Sequence, residues 1–269
     1  MSSNTKNIIL VINYNHSADC VNKSFLDEIY SPHFKKVIHY SDNPKTSDPD
    51  INFIHTKHGW FSYGVLPHFY EKYSELLETA DGVFYTHDDC IINVNMLYQM
   101  DINKTMYDQV ARKVIDGEYV NRGKKRLSKW IWWEETVGER NLMKFWKSEK
   151  WSGHPVHGFV GYSDYLYLPK KLFNEKFITI LSDLYKHEVF LEIALPLAVN
   201  YINCDASMKD SSKYNDTSKT KIMWTIEDRE DVNNHLFELL TEDKSTIIHP
   251  VKLRSNPGLK QVLRDAFNI

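Results

Sequence analysis

Short apolar runs alternate with amphipathic stretches along the first third of the chain. Four of these runs are unbroken and rich in β-branched or aromatic residues, as strands buried on both faces are. They occupy residues 8–12, 37–40, 51–54 and 83–85. Helices are predicted between them at residues 24–30 and 67–79, the second with Pro67 near its first turn. This alternation indicates right-handed βαβ units and a mainly parallel sheet.

The second half of the chain follows a different pattern. Residues 101–151 are rich in charge and tryptophan and predict an excursion from the sheet or an antiparallel hairpin. Residues 159–168 predict one further strand or two short ones. Amphipathic helices then follow, the middle one ended or kinked by Pro196. They are expected at residues 170–185, from residue 186 onward and at residues 259–267.

The composition limits the class of protein. A chain of 269 residues, 42% of them hydrophobic, is long enough for one large domain or two small ones. A net charge of -3 argues against nucleic acid as the main partner. No apolar run is long enough to span a bilayer, and the first residues lack the pattern of a signal peptide. Because the three cysteines have no metal-type spacing, we expect a cytoplasmic protein with reduced thiols.

Candidate chemistry follows the fourth predicted strand. Asp88 and Asp89 come directly after it, with His87 before them. Ligands of open parallel sheets bind at the carboxyl ends of strands. Paired carboxylates at that point can hold a hard divalent cation, which in turn binds phosphates. The alternative is that one of these acids only caps a helix predicted at residues 91–100.

The tryptophan-rich stretch has two interpretations. Aromatic rings beside charged groups suit a carbohydrate-binding face, since sugars stack their C–H faces on rings. The alternative is a satellite core cluster packed by these side chains. The sequence leaves both interpretations open for Trp130, Trp132, Trp133, Trp146 and Trp151.

Several common catalytic motifs are missing from the sequence. No glycine-rich dinucleotide fingerprint follows the first strand and no P-loop occurs, which disfavours a dehydrogenase and an NTPase. His187 and Glu188 begin a zincin-like pattern, but Leu191 stands where the second histidine belongs. The nucleophile elbow of the α/β-hydrolases is also missing.

The order of the remaining features resembles the GT-A glycosyltransferases, and among them the exostosin-like group. The triple aspartate of that group, which follows an apolar strand, is similar to His87-Asp88-Asp89 with the first acid replaced. Its glycine-aromatic segment looks like Gly158-Phe159, and its acidic helix start looks like residues 186–192. On this resemblance Glu188 stands at the position of the active-site carboxylate of the group. The resemblance covers roughly residues 8–203.

The resemblance implies an α/β fold of the GT-A type, in a single domain that covers residues 1–269. A Rossmann-like half at about residues 1–100, with a central mainly parallel sheet, would bind the nucleotide sugar. A second half at about residues 101–269 would bind the acceptor and carry a metal- and phosphate-binding segment near its end. In that segment, His249 and Lys252 look like the metal-binding histidine and phosphate-binding lysine of other GT-A enzymes.

The expected roles follow from the chemistry of a UDP-sugar, whose diphosphate gains charge as the sugar leaves. A Mn²⁺ or Mg²⁺ cofactor would stabilise that charge as a Lewis acid. Asp89 is the first expected metal ligand, and Asp88 is the second or a contact to the ribose or donor sugar. Imidazole is also a ligand for Mn²⁺, so His249 would complete the set. Lys252 would neutralise a phosphate as a point charge.

The remaining roles are those of the general base and of the nucleoside contacts. An acceptor hydroxyl must lose its proton to a carboxylate as it attacks. Glu188 is the first candidate and Glu192, one helical turn later, is the second. The alternative for Glu188 is a first-turn acid that stabilises a helix dipole. Asn13, Tyr14 and Asp42 end the first two strands or follow them and are expected to contact uracil or ribose.

We therefore expect a metal-dependent glycosyltransferase with a UDP-sugar donor and an oligosaccharide or glycoprotein glycan as acceptor. A base on the acceptor side favours inversion, whereas the exostosin-like group retains, so both outcomes stay open. The chain is also similar to glycosyltransferases of large algal (chlorella) viruses, including a xylosyltransferase, which implies UDP-xylose and the host cytoplasm. The rival classes are a non-catalytic carbohydrate-binding protein and a metal-dependent phosphoesterase that uses the same carboxylates.

Overall fold

The strands and helices are taken from a computed structural model of the chain. It describes residues 7–14, 20–44, 48–57, 59–114, 119–121, 138–152, 157–203, 231–243 and 245–269. The strands are β1 (Ile8–Tyr14), β2 (Lys36–Ser41), β3 (Ile51–Phe53), β4 (Gly82–His87), β5 (Ile91–Ile92), β6 (Met106–Val114), β7 (Tyr119–Asn121), β8 (His157–Pro169) and β9 (Ile247–Ile248). The helices are α1 (Lys23–Tyr30), α2 (Val65–Lys72), α3 (Ser74–Glu78), α4 (Gly138–Lys147), α5 (Glu175–Lys186), α6 (Leu191–Asn203), α7 (Val232–Thr241) and α8 (Gly258–Phe267).

A mixed seven-stranded sheet forms the centre, in the order β3-β2-β1-β4-β8-β6-β7. The first four strands are parallel to one another, and β8, β6 and β7 continue the sheet in antiparallel pairs. The β6–β7 pair confirms the antiparallel hairpin predicted after residue 101. The sequence thus predicted the α/β class and the four parallel strands, and the sheet is compatible with a Rossmann-like arrangement.

Strand β1 lies at a topological switch point of the sheet. The chain runs outward from β1 through β2 to β3 and then returns to the opposite side of β1 as β4. In the register between β1 and β4, Asn13 stands opposite His87. The carboxyl ends of both strands therefore lie side by side, and the crevice outside such a point is where open α/β sheets bind ligands.

Helices cover both faces of the sheet and create two apolar cores. Ile9 and Val11 of β1 belong to the first core, which includes side chains from α2, α4, α5 and α6. Ile8, Leu10 and Ile12 alternate with them and belong to the second core, which includes side chains from α1, α7 and α8. Because both faces of β1 are buried, its sequence is an unbroken apolar run. Each fully buried aliphatic side chain stabilises the fold by about 1.5–3 kcal/mol.

Three predicted helices differ from the structure. The segment after Asp89 forms β5 and then a 3₁₀ helix (Val94–Gln99), because Ile91 and Ile92 pair with β9 far along the chain. The helix predicted at residues 67–79 is divided into α2 and α3. The helix predicted from residue 186 begins only at Leu191, and Pro196 does not end it, since α6 continues to Asn203.

The tryptophans that the structure describes in the charged stretch belong to the core. Trp146 and Trp151 are 2% and 4% exposed and pack around the ring of Phe145. Their burial confirms the core interpretation for these two side chains. Trp130, Trp132 and Trp133 lie outside the described residues. Within the part of the chain that the structure describes, no helix is long and apolar enough to cross a membrane.

Candidate active site

Asp88 and Asp89 stand at the carboxyl end of β4, beside the end of β1. The backbone amide of Asp88 donates to the carbonyl of Asn13 at 3.1 Å, and the carbonyl of Asp89 accepts from the amide of Val251 at 2.7 Å. The alternative that these acids cap a helix is wrong, because the next helical segment is capped by Asn93. Neither acid therefore serves as the cap of that helical segment.

Asp89 is held between two cationic groups. Nζ of Lys252 lies 2.5 Å from Oδ2 of Asp89, and Nε2 of His249 lies 3.5 Å from Oδ1. Burial alone would raise the pKa of Asp89, but the hydrogen bond from His249 and the charges of His249 and Lys252 outweigh it. The pKa of Asp89 is consequently well below its usual range, and the side chain is a carboxylate at neutral pH.

Asp164 of β8 is the second carboxylate of this group. Its Oδ1 lies 3.7 Å from Nε2 of His249 and 3.4 Å from Nδ1 of His87. Burial opposes ionisation of Asp164, but the hydrogen bond from His87 and the charge of His249 lower its pKa. His249 thus lies between Asp89 and Asp164 and joins the end of β4 and the middle of β8 to the C-terminal segment.

A buried network fixes the orientation of His87. Nε2 of His87 lies 3.0 Å from Oγ of Ser62 and 2.8 Å from the hydroxyl of Tyr85, and Tyr85 donates to Ser62 at 2.8 Å. With Nε2 facing these hydroxyls, the tautomer assigned from the network carries its proton on Nδ1, towards Asp164. His87 therefore orients the carboxylate of Asp164.

A cavity of about 380 Å³ opens beside Asp89 at the switch point. Its lining combines acidic, basic and amide side chains from the start of α1, the end of β4 and the segment after β9. The lining residues are Asn22, Asp88, Asp89, Val251, Lys252, Leu253, Arg254 and Ser255. Asn22 is only 3% exposed, and no described residue donates a hydrogen bond to its Oδ1. A ligand in this cavity would meet two basic side chains and an acceptor oxygen.

Asp89, Asp164 and His249 form a donor set that suits a hard divalent cation, since Mn²⁺ accepts carboxylate oxygen and imidazole nitrogen. Among the described residues no group of three or more His, Cys, Asp or Glu side chains is arranged as ligands of one ion. In the structure these groups form ion pairs instead, with Lys252 on one oxygen of Asp89. Burial opposes protonation of His249, but the hydrogen bond to Asp89 and the charge of Asp164 raise its pKa. The types of donor atom therefore suit an ion, but the side chains of the described residues are not arranged around one. An ion would take the place of the proton on His249.

Glu192 lies in the first turn of α6, the helix that packs against β8. Among the described residues, none forms an ion pair or a hydrogen bond with its carboxyl group. Burial, and then repulsion from Asp164, raises the pKa of Glu192 to about 8. A buried carboxyl group with a pKa near neutrality is well suited to general acid–base chemistry.

Glu188, the first candidate for the base, lies elsewhere. It belongs to the turn between α5 and α6, with a φ of 53°, and not to the first turn of the helix. Its side chain is 53% exposed and pairs with Lys57. Its backbone carbonyl accepts a hydrogen bond from Asn141 at 2.8 Å. The repulsion from Asp164 indicates that Glu192 lies near the carboxylates of the site, whereas Glu188 pairs with Lys57 away from them.

The three expected nucleoside contacts lie in different surroundings. Asn13 is buried at the end of β1 and bonds to Asp88 through its backbone, so it borders the site. Tyr14 is 1% exposed and packs in the second core, where its hydroxyl bonds to His39 at 3.1 Å. Asp42 accepts a hydrogen bond from Thr56 at 3.0 Å. The structure therefore brings Asn13 to the site and leaves Tyr14 without a surface for a nucleoside.

Sequence reasoning missed most of the cavity wall and did not identify Asp164 as a partner of His249. Asp164 is a single acid within a strand, so no local spacing marks it. Asn22 directly precedes α1, where an amide is ordinary. Arg254 follows Lys252 closely, and this basic pair near His249 was the one available signal.

Comparisons with known proteins add no relative. No protein-family model matches the chain, and no curated protein matches it in sequence. The function is therefore inferred from the geometry of the site and from the resemblance in its motifs.

The raised pKa of Glu192 predicts a pH-dependent cost to stability. Between pH 4.5 and about 8 the folded protein keeps this proton and the unfolded chain loses it, so stability falls as pH rises. We expect Glu192→Gln, which has no such proton, to remove this dependence. The free energy of unfolding of Glu192→Gln, relative to that of wild type, should therefore rise by about 2–4 kcal/mol as the pH is raised from 5 to 8. Urea unfolding of both proteins at the two pH values measures it. A stability difference that does not change with pH would contradict the burial of an uncharged Glu192.

Proposed function

We propose that the protein is a metal-dependent glycosyltransferase of the GT-A type that transfers a sugar from a UDP-sugar to a glycan acceptor. The observation that carries the proposal is a cluster of two carboxylates, Asp89 and Asp164, around the imidazole of His249. This cluster lies beside a cavity at the switch point of the sheet. Carboxylates and basic side chains at one cavity suit a metal-bound diphosphate better than either feature would alone.

Different residues would bind different parts of the donor. Asp89, Asp164 and His249 would hold the ion, with Asp88 at the cavity wall. The ion would supply Lewis-acid stabilisation of the leaving diphosphate. Lys252 and Arg254 carry positive charge into the same cavity and would neutralise phosphate oxygens. Asn22 offers an acceptor oxygen to a hydroxyl or N–H group of the nucleoside.

Glu192 is the proposed general base. Its ionised carboxylate takes the proton from the acceptor hydroxyl, whose oxygen forms the new glycosidic bond. The bond between the sugar and UDP breaks at the same time, and UDP leaves with the electron pair. Direct displacement of this kind inverts the anomeric centre, so we propose inversion. UDP-xylose is one donor that the resemblance to the viral enzymes supports.

Particular observations argue against each of the two rival classes of protein. A carbohydrate-binding module built on the tryptophans loses support because Trp146 and Trp151 are core residues. A phosphoesterase would use the same carboxylates, but it would need no buried, uncharged Glu192 near them. A carbohydrate-binding module also does not account for the basic side chains and the carboxylates in one cavity.

Release of UDP tests the proposal directly. We expect the purified protein with Mn²⁺ to release UDP from at least one UDP-sugar in a panel, and to release it faster when oligosaccharide acceptors are added. EDTA should abolish the release. A phosphoesterase would instead release inorganic phosphate from simple esters without an acceptor, and a binding module would release nothing. Either result would overturn the proposal.

A further inference from the structure

Trp60 is an exposed aromatic side chain in a protein that buries its other described tryptophans. Its exposed fraction is 39%, against 2% for Trp146 and 4% for Trp151. Leaving an indole in water forgoes the stabilisation that burial gives, so an exposed tryptophan held in a fixed place suits a binding surface.

The loop that carries Trp60 is held by several hydrogen bonds. The amide of Gly59 donates to Oγ1 of Thr56 at 3.2 Å, and the amide of Phe61 donates to the carbonyl of Thr56 at 3.0 Å. Gly59 adopts a φ of 89°, which a side chain would strain. The indole packs edge to face on Phe190, with ring centroids 6.3 Å apart. The ring is thus presented in one orientation before any ligand arrives.

The same loop is hydrogen-bonded at two points to neighbours of the proposed site residues Glu192 and Asp164. The carbonyl of Trp60 accepts from the amide of Leu191 at 3.0 Å, and Leu191 precedes Glu192 in the first turn of α6. Two residues after Trp60, Ser62 bonds to His87, which faces Asp164. Trp60 therefore stands at the border of the site on the side of Glu192.

The cavity proposed for the donor lies on the other side of the sheet. Its apolar lining residues Val251 and Leu253 belong to the second core, whereas Phe61 and Leu191, the neighbours of Trp60, belong to the first. A donor on one side and an acceptor on the other would meet at the carboxyl end of β4, beside Asp164 of β8. Glu192, near Asp164 on the Trp60 side, would then face the acceptor hydroxyl.

We infer that Trp60 is the platform on which a sugar ring of the acceptor stacks. This inference rests on the proposed function and adds to it the place and the chemical class of the acceptor. The C–H face of a pyranose packs against the negatively polarised face of the indole, while the ring hydroxyls remain free for other partners. The acceptor is therefore a glycan with an accessible apolar sugar face.

Substitution of Trp60 tests the inference by two measurements. Trp60→Ala should raise the KM for an oligosaccharide acceptor by about tenfold, because the acceptor loses the indole face on which it stacks; this corresponds to about 1.4 kcal/mol. Hydrolysis of the UDP-sugar by water and the KM for the donor should stay unchanged. Trp60→Phe should recover most of the loss. Tyr98→Ala is the matched control, because Tyr98 is an exposed aromatic residue, at 65%, on a different segment.

Binding measured without turnover separates this inference from the proposed function. An immobilised panel of oligosaccharides should retain the wild-type protein and Tyr98→Ala, and should lose Trp60→Ala. If no UDP-sugar is turned over but sugar binding still depends on Trp60, the proposed function fails and the platform stands. If transfer occurs with an unchanged acceptor KM in Trp60→Ala, or if wild type binds no sugar of the panel, the platform is wrong. Retention of a protein partner instead of a sugar would also overturn it.

Discussion

Asp89→Asn is expected to reduce UDP release by about 10³-fold, the upper range for loss of one group that stabilises developing charge. The substitution keeps the shape of the side chain and removes its negative charge. Lys252 and His249, which lie 2.5 and 3.5 Å from the carboxylate, would lose their counter-charge, and the proposed metal site would lose an anionic ligand. Calorimetry should also show that UDP binding no longer depends on Mn²⁺.

Asp183→Asn provides a closely matched control for this substitution. The side chain of Asp183 is 13% exposed and that of Asp89 is 12% exposed, and Nζ of Lys150 lies 2.6 Å from Asp183. Both changes therefore break a partly buried ion pair with a lysine, but only one of them lies beside the cavity. We expect Asp183→Asn to keep its activity. Equal activity losses in the two variants would mean that Asp89 acts only through stability.

Glu192→Gln is expected to lower the rate of transfer by about 10²–10⁴-fold, as removal of a general base does. The amide cannot accept the proton of the acceptor hydroxyl, but it fills the same space beside Asp164. Affinity for the UDP-sugar with Mn²⁺ should stay near that of wild type, since Glu192 is not part of the cavity wall. Single-turnover transfer and calorimetry measure the two quantities separately.

Glu188→Gln is the control for Glu192 and tests the first expectation from the sequence. It makes the same change of side chain only four residues away, in an exposed ion pair with Lys57, which contributes little to stability. We expect transfer by this variant to stay within about threefold of wild type, far from the loss expected for a base. A large loss in Glu188→Gln together with normal transfer in Glu192→Gln would reverse the assignment.

The strands of the first half were predictable because each is an apolar run that ends in a polar loop. The acids after β4 were predictable for the same reason, since a strand end in a parallel sheet marks a binding edge. The helix expected after Asp89 failed because Ile91 and Ile92 pair with Ile247 and Ile248, and no local pattern encodes a partner so distant. That pairing also brings His249 to Asp89.

The choice between Glu188 and Glu192 depended on where one helix begins. The sequence reads as helix from residue 186, but Glu188 takes a left-handed conformation, which interrupts the helix before Leu191. A glutamate in that conformation has no sequence signature, because glycine and asparagine are the usual residues there. Asp164 was equally hidden, as its role arises only when β8 pairs with β4 and carries it to His87.

The most direct test of the account is a crystal structure with UDP and Mn²⁺, with the ion located by its anomalous scattering. We expect manganese in contact with Asp89 and His249, and the diphosphate in the cavity between Asn22 and Lys252. Uridine density elsewhere on the protein, or manganese bound away from Asp89, would contradict it.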